Sequence, residues 1–210
     1  MSAETKRRYT LDEYLALEHA SDARLEFWDG EIFAMSGGTL SHERVMGNMF
    51  DLLRNQLRDG KSTVFGSNMH IKVPTAPPYR YADGSVVCGK VEVERFNGSD
   101  RLLNPILVYE VLSPSTEAYD RGDKFTHYKS IAHLREYLLI AQHRPHVTHY
   151  VKQEDGTWSY SETNGLEGNV HLPSVDVSLK FTDVYRNVEF EPGAGPTAVL
   201  SEKLEFYLQV

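Results

Sequence analysis

Three residues could do chemistry that their surroundings do not call for. Glu110 stands in NPILVYEVL, residues 104–112, among Ile106, Leu107, Val108, Val111 and Leu112. Such a run reads as a buried strand. An ionised carboxylate there costs several kcal/mol unless a cation or hydrogen-bond donors compensate, so Glu110 invites a metal, a lysine or a catalytic role. Asp83 lies in YRYADGSVVC, residues 79–88, in front of the apolar Val86-Val87-Cys88. Lys124 follows on the polar, helix-forming segment EAYDRGDKFTHYK, four residues before Tyr128 and on the same helix face. Two carboxylates facing one cleft form the hard-oxygen site that Mg²⁺ uses, with waters left over for a substrate phosphate. A lysine beside them would stabilise developing negative charge or orient a water. The natural reaction is phosphodiester hydrolysis. Neither carboxylate has an obvious cationic neighbour in the sequence, so a divalent ion is expected between Asp83 and Glu110. Mn²⁺ is expected to replace Mg²⁺ and to bind more tightly.

The elements that must position these residues follow from pattern. Thr10 and Glu13 form a capping box ahead of Tyr14, Leu15 and Leu17, predicting a helix over 11–20. ARLEFWDGEIFAMSG, which contains Glu26, reads as a hairpin turning at Asp29-Gly30. Val45, Met46, Met49, Phe50, Leu53 and Leu57 recur at helical spacing, predicting an amphipathic helix over 41–59 with His42 in its first turn. STVFGS, NMHIKVP and YRYADGSVVC read as successive strands, and 89–103 as a charged, weakly patterned connection whose structure is left open. Beyond the Glu110 strand, a helix over 116–130 leads to REYLLIA, a second apolar strand that implies a sheet covered on both faces. HVTHYVK and TWSYSE form a hairpin, GNVHLP and VDVSLK are edge pieces, and FTDVYRNV closes the fold as a short helix. The expected architecture is α/β: a mixed central sheet flanked by helices, with additional antiparallel hairpins. Residues 1–190 would form one domain, and 191–210 a Pro/Gly-rich linker and amphipathic tail.

Composition sets limits. A chain of 210 residues suits one compact domain. No apolar run approaches the roughly 20 residues that span a bilayer, and the N-terminus lacks the apolar core of a secretory signal. The single cysteine cannot form an internal disulfide, which favours the cytoplasm. The formal net charge of −8 counts against a broad basic surface for nucleic acid.

YADGSVVC, followed by NPILVYEVLSPSTEAYDRGDKFTHYKSIAHLREYLLI, resembles the core of the putative restriction-endonuclease family, a branch of the PD-(D/E)xK nuclease superfamily. The phrase EVLSPST-x-x-x-DRG-x-K-x-x-x-Y is long and specific, and the resemblance runs over about residues 9–188. It implies a restriction-endonuclease-like fold and Mg²⁺-dependent hydrolysis of nucleic acid, DNA first, by copies that pair as a homodimer. By it, Asp83 and Glu110 are metal ligands and catalytic carboxylates, and Glu26 and His42 stand near the same cleft. The chain departs from the pattern in three places. Leu112 occupies the strand position of the usual lysine, Ala82 that of the usual proline, and Gly84 follows the aspartate. Lys124 would then supply the catalytic ammonium from the helix. Two rivals remain: a nuclease-fold protein that binds nucleic acid or a protein partner without cutting, and a metal-dependent hydrolase of a small phosphoester.

Each assignment also has a structural competitor. Asp83 could serve as a strand-start residue, Glu110 as half of a buried ion pair, and Lys124 as a helix-surface partner of Asp120. His42 could be an ordinary first-turn residue, and Glu26 a solvent-facing strand residue. Tyr128 reads as packing, and Cys88 as an inert core thiol.

Overall fold

The computed structural model describes residues 7–21, 24–28, 30–34, 37–75, 79–96 and 98–190. The expected linker and tail, 191–210, lie outside the described residues. Helix α1 (Leu11–Ala20) opens the fold with the Thr10/Glu13 capping box closed in both directions. Its buried Tyr14 donates a 2.9 Å hydrogen bond to the Leu25 carbonyl, tying it to the antiparallel hairpin of β1 (Leu25–Trp28) and β2 (Glu31–Ala34). The turn needs the positive φ of Gly30, 77°. Helix α2 (Leu40–Gln56) is capped by Thr39 and buries the stripe Val45, Met49 and Leu53.

Strands β3 (Ser62–Gly66), β4 (His70–Lys72), β5 (Tyr79–Tyr81), β6 (Gly84–Cys88), β7 (Val93–Phe96), β8 (Ser99–Leu102) and β9 (Leu107–Leu112) come next. A helical segment then runs as α3 (Glu117–Tyr119), a π-helical turn (Asp120–Lys124) and α4 (Phe125–Tyr128). The chain ends with β10 (Glu136–Ala141), β11 (His146–Lys152), β12 (Trp158–Asn164), β13 (Asn169–Leu172), β14 (Val177–Lys180) and α5 (Phe181–Val184). The main sheet has the order β12-β11-β10-β9-β6-β3, with β9 and β10 parallel and the other neighbours antiparallel. A parallel pair needs a crossover, and the 117–128 segment supplies it. Every residue of β9 and β10 is buried. One face of the sheet packs with α2, β13–β14 and α5 through Leu107, Tyr109, Leu138 and Phe181. The other packs under the crossover through Val108, Leu112, Phe125 and Leu139. The architecture is thus mixed α/β with a mixed sheet flanked by helices. Among the described residues no helix is long and apolar enough to cross a membrane.

Three local expectations are corrected, and one open segment is filled in. YRYADGSVVC is not one strand: β5 belongs to a second sheet, β5-β4-β8-β7, and the chain breaks at Ala82-Asp83 before β6 joins the main sheet. Residues 89–103, whose structure the sequence left open, hold the β7–β8 hairpin of that second sheet, its outer part exposed and Arg101 and Leu102 buried. Glu94 on it pairs with Lys72 at 2.6 Å. The 116–130 helix is interrupted by the π turn. Cys88 is exposed at the end of β6, with its Sγ 2.9 Å from the Ser62 hydroxyl. In addition, β13 and β14 pair with each other rather than extending a larger sheet.

The break at Asp83 has a physical cause. Gly84 pairs with Tyr109, and a Cβ on Gly84 would fall 2.2–2.4 Å from the Tyr109 ring and hydroxyl. Only glycine lets β6 approach there. Gly84→Ala should therefore cost about 1–3 kcal/mol, the range for forcing extra atoms into a packed site. A lowered urea midpoint with an unchanged slope would check it.

Candidate active site

Side chains alternate along a strand, so Glu110 shares its face with Val108 and Leu112 and points under the crossover. There the Lys124 Nζ lies 2.9 Å from Glu110 Oε1 and 3.4 Å from Asp120 Oδ1. The Tyr128 hydroxyl donates to the same Glu110 oxygen at 3.1 Å. Glu110, Asp120 and Lys124 are only 3%, 3% and 4% exposed. The π turn spans Asp120 to Lys124; its wider i→i+5 winding is a feature that often marks functional sites, and it directs both residues inward. Tyr137, on β10, donates to the Asp120 carbonyl at 3.0 Å and anchors the turn to the sheet.

Asp83 reaches β9 from its β6 edge. Beyond the Gly84–Tyr109 pair, the next backbone donor of β9, Val111 N–H, gives its hydrogen bond to Asp83 Oδ2 at 2.6 Å. The carboxylate thus replaces a strand partner and is held rigidly. His42 Nε2 lies 3.4 Å from the same oxygen. Thr39 positions that histidine: its hydroxyl accepts from His42 N–H at 3.2 Å and bonds to Gln142, just past β10. The N-terminus of α2 is thereby fastened over the ends of the central strands. On β1, Glu26 Oε1 accepts the Tyr81 N–H at 3.0 Å, and Glu26 is near enough to act by charge on Lys124. A cleft of about 560 Å³ opens beside Asp83, between α2 and β3.

Charge in this cluster is unbalanced. Burial pushes Glu110 well above the usual carboxylate range, the Lys124 ammonium opposes it, and Asp120 and Asp83 push further upward. Burial likewise raises Asp120, with Lys124 opposing. Lys124 moves the other way. Burial works against its charge, yet Glu110, Glu26 and Asp120 together hold it well above the ordinary lysine value. The ammonium stays charged at neutral pH, while two buried carboxylates share it. At His42, burial disfavours the charged ring, but the hydrogen bond and charge of Asp83 outweigh it and raise the pKa.

Asp83, Glu110, Lys124 and His42 are therefore connected through β9, and Glu26 joins them by charge alone. Neither carboxylate has an obvious cationic neighbour in the sequence, but the fold brings one to each: Lys124 meets Glu110 and His42 meets Asp83. Two contributors escaped the sequence reading, and a third, Asp120, was expected there only as a helix-surface partner of Lys124. Tyr128, read there as packing, binds Glu110. Asp120 shares the ammonium. Arg80 is fully buried between the Phe27 and Tyr79 carbonyls and His127 Nδ1, beneath the Glu26 hairpin. The DRG-x-K-x-x-x-Y spacing carried the first two signals, whereas Arg80 lay in an expected strand with none.

Does this donor set suit Mg²⁺? Among the described residues no group of three or more His, Cys, Asp or Glu side chains is arranged to hold a metal. Mg²⁺ needs fewer, since it binds through one or two carboxylates and retains its waters. Hard oxygens from Asp83 and Glu110, in a cluster short of positive charge, fit that requirement. The Tyr109 hydroxyl, buried over Gly84 with no hydrogen-bond partner among the described residues, adds an unsatisfied oxygen nearby.

A mixed sheet with a carboxylate-rich site at its central strands is a nuclease-like α/β fold. It matches the crystal structure of a putative nuclease belonging to DUF820 from Anabaena variabilis, with a TM-score of 0.67 and 18% identity over 84% of this chain and 97% of that one. The chain belongs to the family described as "Uma2: Putative restriction endonuclease", whose profile matches residues 11–182. Two relatives from Synechocystis sp. are each 34% identical to it. Uncharacterized protein slr1290 aligns over 85% of this chain and 92% of its own length. Uncharacterized protein sll1609 aligns over 82% and 97%.

Two outcomes follow from the electrostatics. Because the folded His42 pKa lies above the ordinary 6.5, its pairing with Asp83 contributes fully below that value and is lost as pH rises through the raised one. The stability difference between wild type and His42→Asn should therefore shrink from about pH 5 to about pH 8 in urea titrations. A difference that grows with pH would contradict the pairing. Lys124→Met should cost about 3–5 kcal/mol, the scale of stranding a buried carboxylate, and Lys124→Met/Glu110→Gln should recover part of that loss.

Proposed function

We propose that this chain is a metal-dependent endonuclease-like phosphodiesterase acting on DNA, with Asp83, Glu110 and Lys124 as its catalytic residues. The observation that carries this reading is the Lys124 ammonium, kept charged 2.9 Å from Glu110 in a cluster with more carboxylate than cation. Family membership supports it. Asp83 and Glu110 would hold Mg²⁺, or Mn²⁺ in its place, and the bound ion would polarise the phosphoryl oxygen and acidify a water. Val111 N–H and His42 keep the Asp83 carboxylate in one orientation, and Tyr128 does the same for Glu110. Lys124, too basic to accept a proton at neutral pH, acts as a fixed donor toward the negative charge that develops on the phosphoryl oxygens. Water adds to phosphorus, the bond to the leaving oxygen breaks, and a proton ends on that oxygen.

Cutting both strands of a duplex would require two copies, hence a homodimer, and the single exposed cysteine suits a reducing cytoplasm. One observation favours a second reading, in which the protein binds nucleic acid without cutting it: Lys124 and Tyr128 already occupy Glu110 Oε1.

Cleavage of supercoiled and linear DNA with Mg²⁺ or Mn²⁺ tests the proposal. Activity should appear with metal and vanish with chelator. Asp83→Asn should abolish it and weaken Mn²⁺ binding in calorimetry. Lys124→Met, assayed where it remains folded, should lower turnover by roughly 100- to 1000-fold while Mn²⁺ affinity persists. Metal-bound protein that leaves every DNA intact would favour the binding-only reading.

A further inference from the structure

The cleft beside Asp83 is used by none of the chemistry above. Its floor is shaped by two glycines, Gly47 on α2 and Gly66 at the end of β3, and its walls are Met46, Phe50, Phe65 and Met69. All four wall residues are only partly buried, so their apolar surface faces the opening. The Phe50 ring lies over Gly66, 3.8 Å from where a Cβ would stand. A Cβ on Gly47 would meet nothing within 4 Å. Ser67, Asn68 and Asp83 complete the lining. Cations stand at the rim. The Arg24 guanidinium donates to the Ser67 carbonyl at 3.2 Å, and that of Arg54 sits 6.0 Å from the centre of the Phe50 ring.

We propose that this cleft receives an unpaired nucleobase of the strand whose phosphodiester lies at Asp83, so that the preferred substrate is single-stranded or locally unpaired nucleic acid. The inference rests on the nuclease reading and deepens it. Aromatic rings and thioethers offer a stacking surface that any base can use. Ser67 and Asn68 can meet polar atoms on a base edge, and Arg24 and Arg54 can meet flanking phosphates. Asp83 is part of the cleft lining, so a base inside it brings its own phosphate to that carboxylate. A paired duplex buries its bases and would have to flip one out at a cost. The net charge of −8 agrees with this division of labour. A chain without a broad basic surface gains little from phosphates alone, and stacking supplies the affinity that charge does not.

The test uses a short fluorescein-labelled single-stranded DNA, the same strand with one abasic position moved along it, and its duplex. Binding to the full chain is followed by anisotropy in chelator, where no strand is cut. The intact single strand should bind roughly tenfold or more tightly than the duplex or the best-placed abasic strand. Gly47→Leu fills the cleft from a position with open space and suits a helix better than glycine does, so it should remain folded. It should lose the same factor for the intact strand and nothing for the abasic one, while Gly47→Ala stays near wild type. Equal binding of intact and abasic strands, equal binding of single strand and duplex, or indifference to Gly47→Leu would each overturn the proposal. Base-dependent binding without cleavage in any metal would sink the nuclease reading and leave the base pocket standing. Cleavage with base-independent binding would do the reverse.

Discussion

The fold is built around one costly placement, a carboxylate in the middle of a completely buried strand. Glu110 lies in β9 with every neighbour in the strand buried, and burial above all drives its pKa upward, with Asp120 and Asp83 adding to it. The crossover that follows must bring compensation back over the same strand, and it does so with Lys124 and Tyr128. The π turn is the local consequence. A regular helix passing over β9 would be simpler to form, but Asp120 and Lys124 are both turned into the interior here, and Tyr137 ties the turn down from β10. Replacing such a cluster with packed hydrophobics is often neutral or stabilising.

A second constraint opens the molecule. Strand β6 pairs with β9 from Val86 to Gly84, where the missing Cβ makes room for the Tyr109 ring, and Asp83, just beyond that last pair, completes the ladder with its side chain. The chain then diverges into the second sheet, leaving the cleft between α2 and β3 beside the carboxylate. The close approach of Gly84 to Tyr109 thus lies where the two sheets separate, beside Asp83 and the cleft.

Other buried polar groups act as fasteners. Glu136, on β10, binds His149 at 2.6 Å with one oxygen and accepts the Ser174 N–H at 2.5 Å with the other, holding the β13–β14 loop to the main sheet. Glu18 pairs with His70 and Arg101 and accepts from the Tyr81 hydroxyl, docking α1 on the second sheet. Both clusters join elements far apart in sequence, as buried charges must when each needs a partner. Neither opens on the cleft at Asp83.

By itself the sequence determined the elements whose signals are local. The Thr10 and Thr39 helix starts, the Gly30 turn, the apolar runs of β9 and β10 and the β11–β12 hairpin all depend on spacing within a few residues, and all are present. Asp83, Glu110 and Lys124 were legible as candidates because a charge in an apolar run and a long motif are visible without a structure. Tertiary structure alone decided what surrounds them. The split at Asp83 required the Tyr109 ring, which is far away in sequence. The β7–β8 hairpin was hidden because an exposed ribbon has no apolar pattern. The exposure of Cys88 depended on where β6 ends. The pairings of Glu110 with Lys124 and of Asp83 with His42 cross from one element to another. Local pattern records which side chains are costly to bury, but the partners that offset that cost arrive only when distant segments pack.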